Sequence, residues 1–375
     1  MTFEFKKISA YEAMYEAQKI AYAPVIFQVV RSLRDLGILK LLEQSGKAGM
    51  CAADIGEALG ISQYGVETLL ESGHSCNVVE INVDASGSYK DRVYLLSKVG
   101  YFLLNNSMTR INMDFNHHVC YHGLAELDKA VSEGKPRGLA ALDEQRNTFY
   151  EALPHLPDDS RNSWYSFDHY YSDISYPLIL PHVMKNRPKS LVDVGTNTGK
   201  FAILMAQQHP EMQINMIDLP DQLAIARKNA QDSGVADRIK AIALNLLDSE
   251  NQLPPNLDVY WMSQFLSCFG QDEIISILRR ANEAMHSDSR LFIMETCWDR
   301  QQHEASAFSL VNTSPYFTCI ANGNSKMYHS EELLYCISKA GLELVEITDG
   351  LGICHSLFEC RQTSEQVLQD SPEIN

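Results

Sequence analysis

Residues 190–200 read Ser-Leu-Val-Asp-Val-Gly-Thr-Asn-Thr-Gly-Lys, an apolar run that ends on Asp193, Gly195 and Gly199 just before a stretch with helical spacing. An apolar strand that turns into a helix through glycines marks a nucleotide-type strand-helix unit, because glycine lets the backbone bend sharply and a ligand approach the main chain. The same rhythm continues downstream. MQINMID, IKAIAL, LDVYWM and RLFIMET alternate with helical stretches, one starting at Pro220 and one at Asp272, and a helix near 331–339 precedes LELVEIT and a last strand around CHSLFEC. Alternation of this kind predicts a doubly wound α/β sheet with its ligand crevice at the strand C-termini.

Which ligand the crevice takes is narrowed by residue type. Nineteen positions past Gly199, at the end of the second strand, stands Asp218, placed to accept hydrogen bonds from a ribose diol. A dinucleotide fingerprint needs glycines at 197 and 200, where the chain has Asn197 and Lys200, so no tight pyrophosphate cradle is written. A phosphate-binding Walker loop is also absent, because Phe201 stands where the magnesium-binding hydroxyl belongs. The pattern predicts an adenosine-bearing cofactor without phosphates.

Upstream, residues 11–46 carry Val25, Val29, Leu33, Leu36, Leu39 and Leu42 on successive helical turns, and CAADIGEALGISQYGVETLLES reads as two short helices around Gly60. CNVVEINV and RVYLL then alternate like a hairpin, so this part predicts a winged helix. Between Cys51 and Val83 there is no Lys or Arg, against Asp54, Glu57, Glu67, Glu71 and Glu80. Such a module cannot neutralise phosphates, which argues against DNA binding and for a structural or dimerising role. The formal charge of −17 over 375 residues points the same way for nucleic acid and for anionic lipid.

The Asp-x-Gly-x-x-x-Gly loop and the acidic strand end resemble motifs I and II of the class I S-adenosylmethionine-dependent methyltransferases. The winged-helix start, ELDKAVSEGKP, Asp218-Leu219-Pro220, LDVYWMSQFLSCF and SEELLYCISKAGL follow, in order, the landmarks of the plant caffeate-type and bacterial small-molecule O-methyltransferases. The resemblance covers nearly the whole chain. It implies S-adenosyl-L-methionine as cofactor and S-adenosyl-L-homocysteine as product, with Gly195 and Gly199 at the methionine end, Asp218 on the ribose, and Asn245 and Leu246 beside adenine. Asp193, Leu219 and Ser263 complete the implied cofactor set. Asn245 replaces the family's acidic side chain, and Ser263 its lysine.

Position by position, the resemblance also puts Ser267 where the family's general-base histidine stands and Cys268 where its neighbouring aspartate stands. Glu295 survives as a flanking acid, whereas the second flanking glutamate falls near Met327. Candidate replacement bases are Glu295, His169 and His303; no triad partner for Ser267 or Cys268 is written in the sequence. A general base contributes about 10²- to 10⁴-fold, less than the roughly 7 to 11 kcal/mol available from positioning, so chemistry without the histidine is feasible. Tyr171, Phe265 and Trp298 are the candidate acceptor-binding residues, and an insertion from Trp298 to His329 is expected to help cover the acceptor. His118 and His122 have helical metal-ligand spacing but no third ligand, so no metal is expected.

The expected architecture is a winged-helix dimerisation domain over 1–105, a helical linker over 106–184 that contributes to the substrate pocket, a Rossmann-like methyltransferase domain over 185–362 with mostly parallel strands and one reversed, and a frayed tail over 363–375. The expected activity is methyl transfer to a small aromatic or polyketide-type hydroxyl; C-methylation of an activated ring carbon and a non-catalytic cofactor-binding regulator are the alternatives. Nine cysteines without a C-x-x-C pair, no signal-like N-terminus and no run of about 18 apolar residues lead to the expectation of a cytoplasmic homodimer with reduced thiols, away from nucleic acid and membrane.

Overall fold

The structure, a computed structural model, describes residues 3, 7–85, 88 and 91–363; the tail expected to fray lies outside these but for Thr363. Residues 7–116 form one compact unit and those from His117 onward form a second.

In the first unit, the apolar spacing noted above makes the helices Ala23–Asp35 and Ile38–Ser45, which bury Leu33, Ile38, Leu39 and Leu42 against Ile55, Val66 and Leu70. The helices Ala52–Leu59 and Gln63–Ser75 follow. Gly60 ends the first in the left-handed conformation, and the Ser62 hydroxyl caps the second by accepting from the Gly65 N–H at 3.1 Å. Strands β1 (Met50–Cys51), β2 (Val79–Ile81) and β3 (Val93–Leu96) pair antiparallel in the order β1-β3-β2. This is the predicted helix-turn-helix with its hairpin. The helix Ala10–Ala21 differs in kind: it buries no side chain, and Tyr11, Met14, Tyr15 and Ile20 are exposed.

The second unit is built on β4 (Ser190–Val194), β5 (Gln213–Asp218), β6 (Ile239–Ala243), β7 (Val259–Ser263), β8 (Arg290–Glu295), β9 (Leu342–Leu351) and β10 (His355–Gln362), in the sheet order β6-β5-β4-β7-β8-β10-β9. The first five strands run parallel, and β10 is antiparallel to both β8 and β9. β7 and β8 are buried along nearly their whole length, as strands covered on both faces must be. One face packs Tyr260, Met262, Ile277 and Phe358, and the other Phe201, Met205, Trp261 and Phe292. Chain order reverses beside β4, so β4, β5 and β7 open a crevice at their C-terminal ends.

Helices from the stretch expected as a linker belong to this unit. Asp158–Ser172 and Tyr176–Val183 lead into β4, and the Ser175 hydroxyl between them lies 3.2 Å from the Leu351 carbonyl and 2.9 Å from His355 Nδ1. A buried arginine, Arg280, fixes the loop after β6 by donating to the carbonyls of Leu246 (2.6 Å), Asn251 (2.7 Å) and Asp248 (3.1 Å). It thereby orders the loop that carries Asn245 and Leu246.

Candidate functional site

β4 delivers Asp193 to the crevice. Its Oδ2 accepts from the Thr196 hydroxyl at 2.8 Å and from the Ala202 N–H at 3.2 Å, which ties the glycine loop to the first turn of the helix Lys200–Gln208. Gly195, Asn197 and Gly199 all take the left-handed conformation, with φ of 73°, 53° and 81°. Asparagine tolerates that region better than most side chains, which is how the loop closes without the glycine expected of a dinucleotide site. A Cβ on Gly195 would run into the Phe265 ring, whereas one on Gly199 would press on Met216 and Ala226, inside the fold.

β5 ends on Asp218, whose Oδ2 accepts from the Asn197 N–H at 2.8 Å and whose Oδ1 accepts from the Leu219 N–H at 2.7 Å. A third carboxylate, Asp168 on the helix Asp158–Ser172, accepts from the Asn197 side-chain amide at 2.8 Å and from the Gln264 amide at 3.2 Å. Asp168, Asp193 and Asp218 all line one cavity. Burial pushes the first two up to about 7 and Asp218 up to about 6.

That cavity also takes in Gly195, Leu219, Asn245, Leu246 and Ser263. The Asn245 side-chain oxygen caps its own turn, accepting from the Leu247 N–H at 3.0 Å, and the Ser263 hydroxyl sits 3.4 Å from the Tyr176 hydroxyl. Gly199 shapes the turn but is not on the wall. The donor set tests the cofactor directly. Among the described residues the one Lys or Arg lining the cavity is Lys200, and its ammonium is paired with Asp173. Four acidic residues, Asp168, Asp193, Asp218 and Glu151, with no free cation among the described residues of the wall, would repel a diphosphate and suit a nucleoside bearing positive charge, so the residues fit S-adenosylmethionine.

Beyond the loop the cavity turns aromatic, with Tyr150, Trp164, Phe167, Phe265, Tyr316 and Phe317 on its walls together with Met327. Trp164 Nε1 donates to the Tyr316 hydroxyl at 2.9 Å. The phenol of Tyr150 hydrogen-bonds the Cys268 thiol, and burial raises the pKa of both groups, so each keeps its proton. Ser267 lines the wall, and here the structure supplies a partner: its N–H and that of Leu266 donate to Glu295 Oε1 at 3.2 and 2.8 Å. Glu295 itself stands behind this turn, off the cavity wall, and burial pushes it up to about 7.

His169 does reach the cavity, but beside the glycine loop, with Nε2 3.2 Å from the Thr198 hydroxyl. Burial, reinforced by Lys200, lowers its pKa to about 4, which leaves a neutral and weakly basic imidazole. His303 is exposed at a helix start, away from the cavity. Of the acceptor candidates, Phe265 lines the wall, whereas Tyr171 packs edge-on against Phe167 behind it and Trp298 lies against His329. Asp168, Asn197, Gln222 and Gln264 were not singled out as site residues from the sequence, although all four line the cavity. Among the described residues no cluster of His, Cys, Asp and Glu could hold a metal, and His118 and His122 form no part of one.

Comparison with known proteins accounts for both units. Residues 15–85 match the family described as a Dimerisation2-like domain, and residues 172–342 match the O-methyltransferase domain family. The L-tyrosine C(3)-methyltransferase of Streptomyces lavendulae is 20% identical over 324 residues, 86% of this chain and 85% of that one. The O-methyltransferase pgmB of Aspergillus terreus is 29% identical over 179 residues, 47% of this chain and 40% of that protein. Among solved structures, the mitomycin 7-O-methyltransferase MmcR aligns with a TM-score of 0.69 at 18% identity, covering 94% of this chain and 98% of that one. The chain thus combines a Dimerisation2-like domain with an O-methyltransferase domain, and its relatives are S-adenosylmethionine-dependent small-molecule methyltransferases of the caffeate and bacterial type.

The buried carboxyls make a prediction about pH. Asp168, Asp193, Asp218 and Glu295 have folded-state pKa values of about 6 to 7, above their unfolded values of about 4. The folded chain therefore holds more protons than the unfolded chain across that interval, and stability falls as pH rises through it. His169 and His355, lowered to about 4 and about 3 by burial, act in the opposite sense below about pH 6.5. Thermal unfolding of the ligand-free protein, followed by scanning fluorimetry, is expected to show a midpoint a few degrees lower at pH 8 than at pH 6.5. A midpoint that rises over that interval would contradict the raised values.

Proposed function

We propose that the chain transfers a methyl group to the hydroxyl of an uncharged aromatic small molecule, with residues 1–105 as the dimerising module, 106–184 as the helical stretch that walls the acceptor, and 185–362 as the cofactor-binding domain. The observation that carries this is one cavity with two chemistries, a carboxylate-lined glycine loop and an aromatic enclosure, in which the one Lys or Arg among the described lining residues, Lys200, is already paired.

In this reading Asp218 takes the ribose, the loop from Gly195 to Thr198 takes the methionyl portion, and Asn245 and Leu246 flank adenine. When bound, S-adenosylmethionine supplies an electrophilic methyl group on a sulfonium. Trp164, Tyr150, Tyr316, Phe317 and Phe265 hold the acceptor ring and exclude water. Burial keeps the proton on Cys268 and on Tyr150, and Glu295, hydrogen-bonded to the Ser267 side chain, stands off the cavity wall, so positioning carries the rate and the acceptor's own ionisation supplies the nucleophile. The same lack of a base supports a second reading, methylation of an activated ring carbon, which product regiochemistry by NMR separates from the first.

A carboxylated acceptor would place an unpaired anion in this cavity at a cost of several kcal/mol. The O-methyltransferase NcsB1, whose structure in complex with 2-hydroxy-5-methyl naphthoic acid aligns with a TM-score of 0.64 at 18% identity, holds a carboxylated ligand; this chain is expected to prefer the uncharged counterpart. Purified protein incubated with S-adenosylmethionine should release S-adenosylhomocysteine with phenols and naphthols, and at least tenfold more slowly with their carboxylated analogues. Equal rates, or faster turnover of the acids, would overturn the acceptor class.

Asp218→Ala removes one or two hydrogen bonds to the ribose, about 1 to 3 kcal/mol, so calorimetry should show S-adenosylhomocysteine binding weakened by roughly 5- to 150-fold. Unchanged affinity would remove Asp218 from the site.

The exposed apolar side of the helix Ala10–Ala21, with Tyr11, Met14 and Ile20 in solvent, supports a homodimer formed through the N-terminal unit. Nine unpaired cysteines suit a reducing compartment, and we place the enzyme in the cytoplasm. Light scattering on Ile20→Glu should report a shift from dimer toward monomer; a wild-type chain that is monomeric at micromolar concentration would refute the assembly.

A further inference from the structure

Asp168 stands out among the cavity's acids because, among the described residues, its carboxylate takes no backbone N–H and is aimed by two side chains. Asn197 donates to Oδ2 at 2.8 Å and Gln264 to Oδ1 at 3.2 Å. Gln264 is itself held by a relay. Its amide nitrogen faces the carboxylate, so its oxygen faces His355 Nε2 at 3.0 Å, and His355 Nδ1 meets the Ser175 hydroxyl at 2.9 Å. With Nε2 as the donor, the buried and neutral His355 has Nδ1 free to accept from Ser175. Gln264 adopts φ of 48°, a left-handed conformation that costs a glutamine energy and persists because both ends of its amide are fixed.

The place of Asp168 gives the relay a purpose. Asn197 bridges two carboxylates, its N–H on Asp218 and its side chain on Asp168. If Asp218 takes the ribose, Asp168, joined to it through Asn197 and on the same wall, is an acid within reach of the rest of the cofactor. Its charged neighbours are Lys200, committed to Asp173, and His169, whose Nε2 is 4.0 Å away and whose ring is neutral. Burial pushes the Asp168 carboxyl up to about 7, so a ligand cation beside it would be needed to hold it fully ionised.

We propose that Asp168, aimed by Gln264, His355 and Ser175, is the counter-ion for the positive charge on the methionyl portion of the cofactor. This rests on the S-adenosylmethionine reading above. The charge could reside on the sulfonium or on the α-ammonium, and the ligands distinguish them: S-adenosylmethionine carries both, S-adenosylhomocysteine only the ammonium, and 5′-methylthioadenosine neither.

The test is calorimetric titration of the full chain with all three. Asp168→Asn keeps the shape and removes the charge; it is expected to lose at least tenfold in affinity for S-adenosylmethionine and to bind 5′-methylthioadenosine as the wild type does. An equal loss for S-adenosylhomocysteine assigns the ammonium, and a loss confined to S-adenosylmethionine assigns the sulfonium. Unchanged affinities, or an equal loss for all three ligands, overturn the proposal. Gln264→Met, which leaves the acid but frees it, should show the same ordering with a smaller loss of roughly three- to tenfold, so a misfolded Asp168→Asn would not leave the matter open. Failure of the wild type to bind any of the three would refute the cofactor reading itself, a separate result.

Discussion

The turn between Val194 and Lys200 is shaped by three carboxylates that have to be satisfied away from bulk water. Asp193 takes a hydroxyl and an N–H of the turn, Asp218 takes the N–H of Asn197, and Asp168 takes its side-chain amide. Leaving any of them without donors would cost several kcal/mol, so the backbone must aim its polar groups at them, and alternate residues go left-handed to do so. The chemistry of the site follows from this packing. A wall built to bury anions beside one another favours a ligand that brings positive charge, and the sheet places that wall at the C-terminal ends of parallel strands, where the chain order reverses beside β4.

The strand rhythm, the glycine turn, Asp218 and the helix-turn-helix were legible in the sequence because each has a local signature: a period, a turn residue, or an acid at a strand end. Asp168 and Gln264 were not. They meet across 96 positions of sequence, and an amide or a carboxylate in a polar helix carries no periodic mark of what it will touch. His355 read only as part of an apolar strand, yet it is wholly buried and hydrogen-bonded at both ring nitrogens. Position in an alignment also does not give contacts: Glu295 occupies a catalytic landmark, and the structure places it off the cavity wall, taking the N–H groups of Leu266 and Ser267 and the Ser267 side chain. Residue type does not tell Tyr171 from Phe167, four positions apart on one helix, and only contact geometry reveals that Phe167 faces the cavity while Tyr171 packs behind it.

With the family's imidazole gone from position 267, the acceptor end holds phenols and a thiol whose pKa values are raised by burial, and it offers shape in place of proton transfer. Such an arrangement separates the two demands on a methyltransferase. The cofactor end is electrostatically strict, and the acceptor end is an aromatic slot. Arg280 belongs to the strict side: it holds three carbonyls of the loop after β6, so the border expected to meet the adenine ring is set by a helix on the far side of that loop.

The position of β10 has a bearing on how the molecule is made. This strand wedges between β8 and β9, and it alone brings His355 to Gln264. A nascent chain leaving the ribosome can form the glycine turn well before residue 355 has emerged, but the amide relay to Asp168 has no anchor until that strand slots into the sheet. The support of Asp168 through Gln264 is therefore completed only once the β9-β10 hairpin is in place, and a chain lacking it would hold the turn with that support missing.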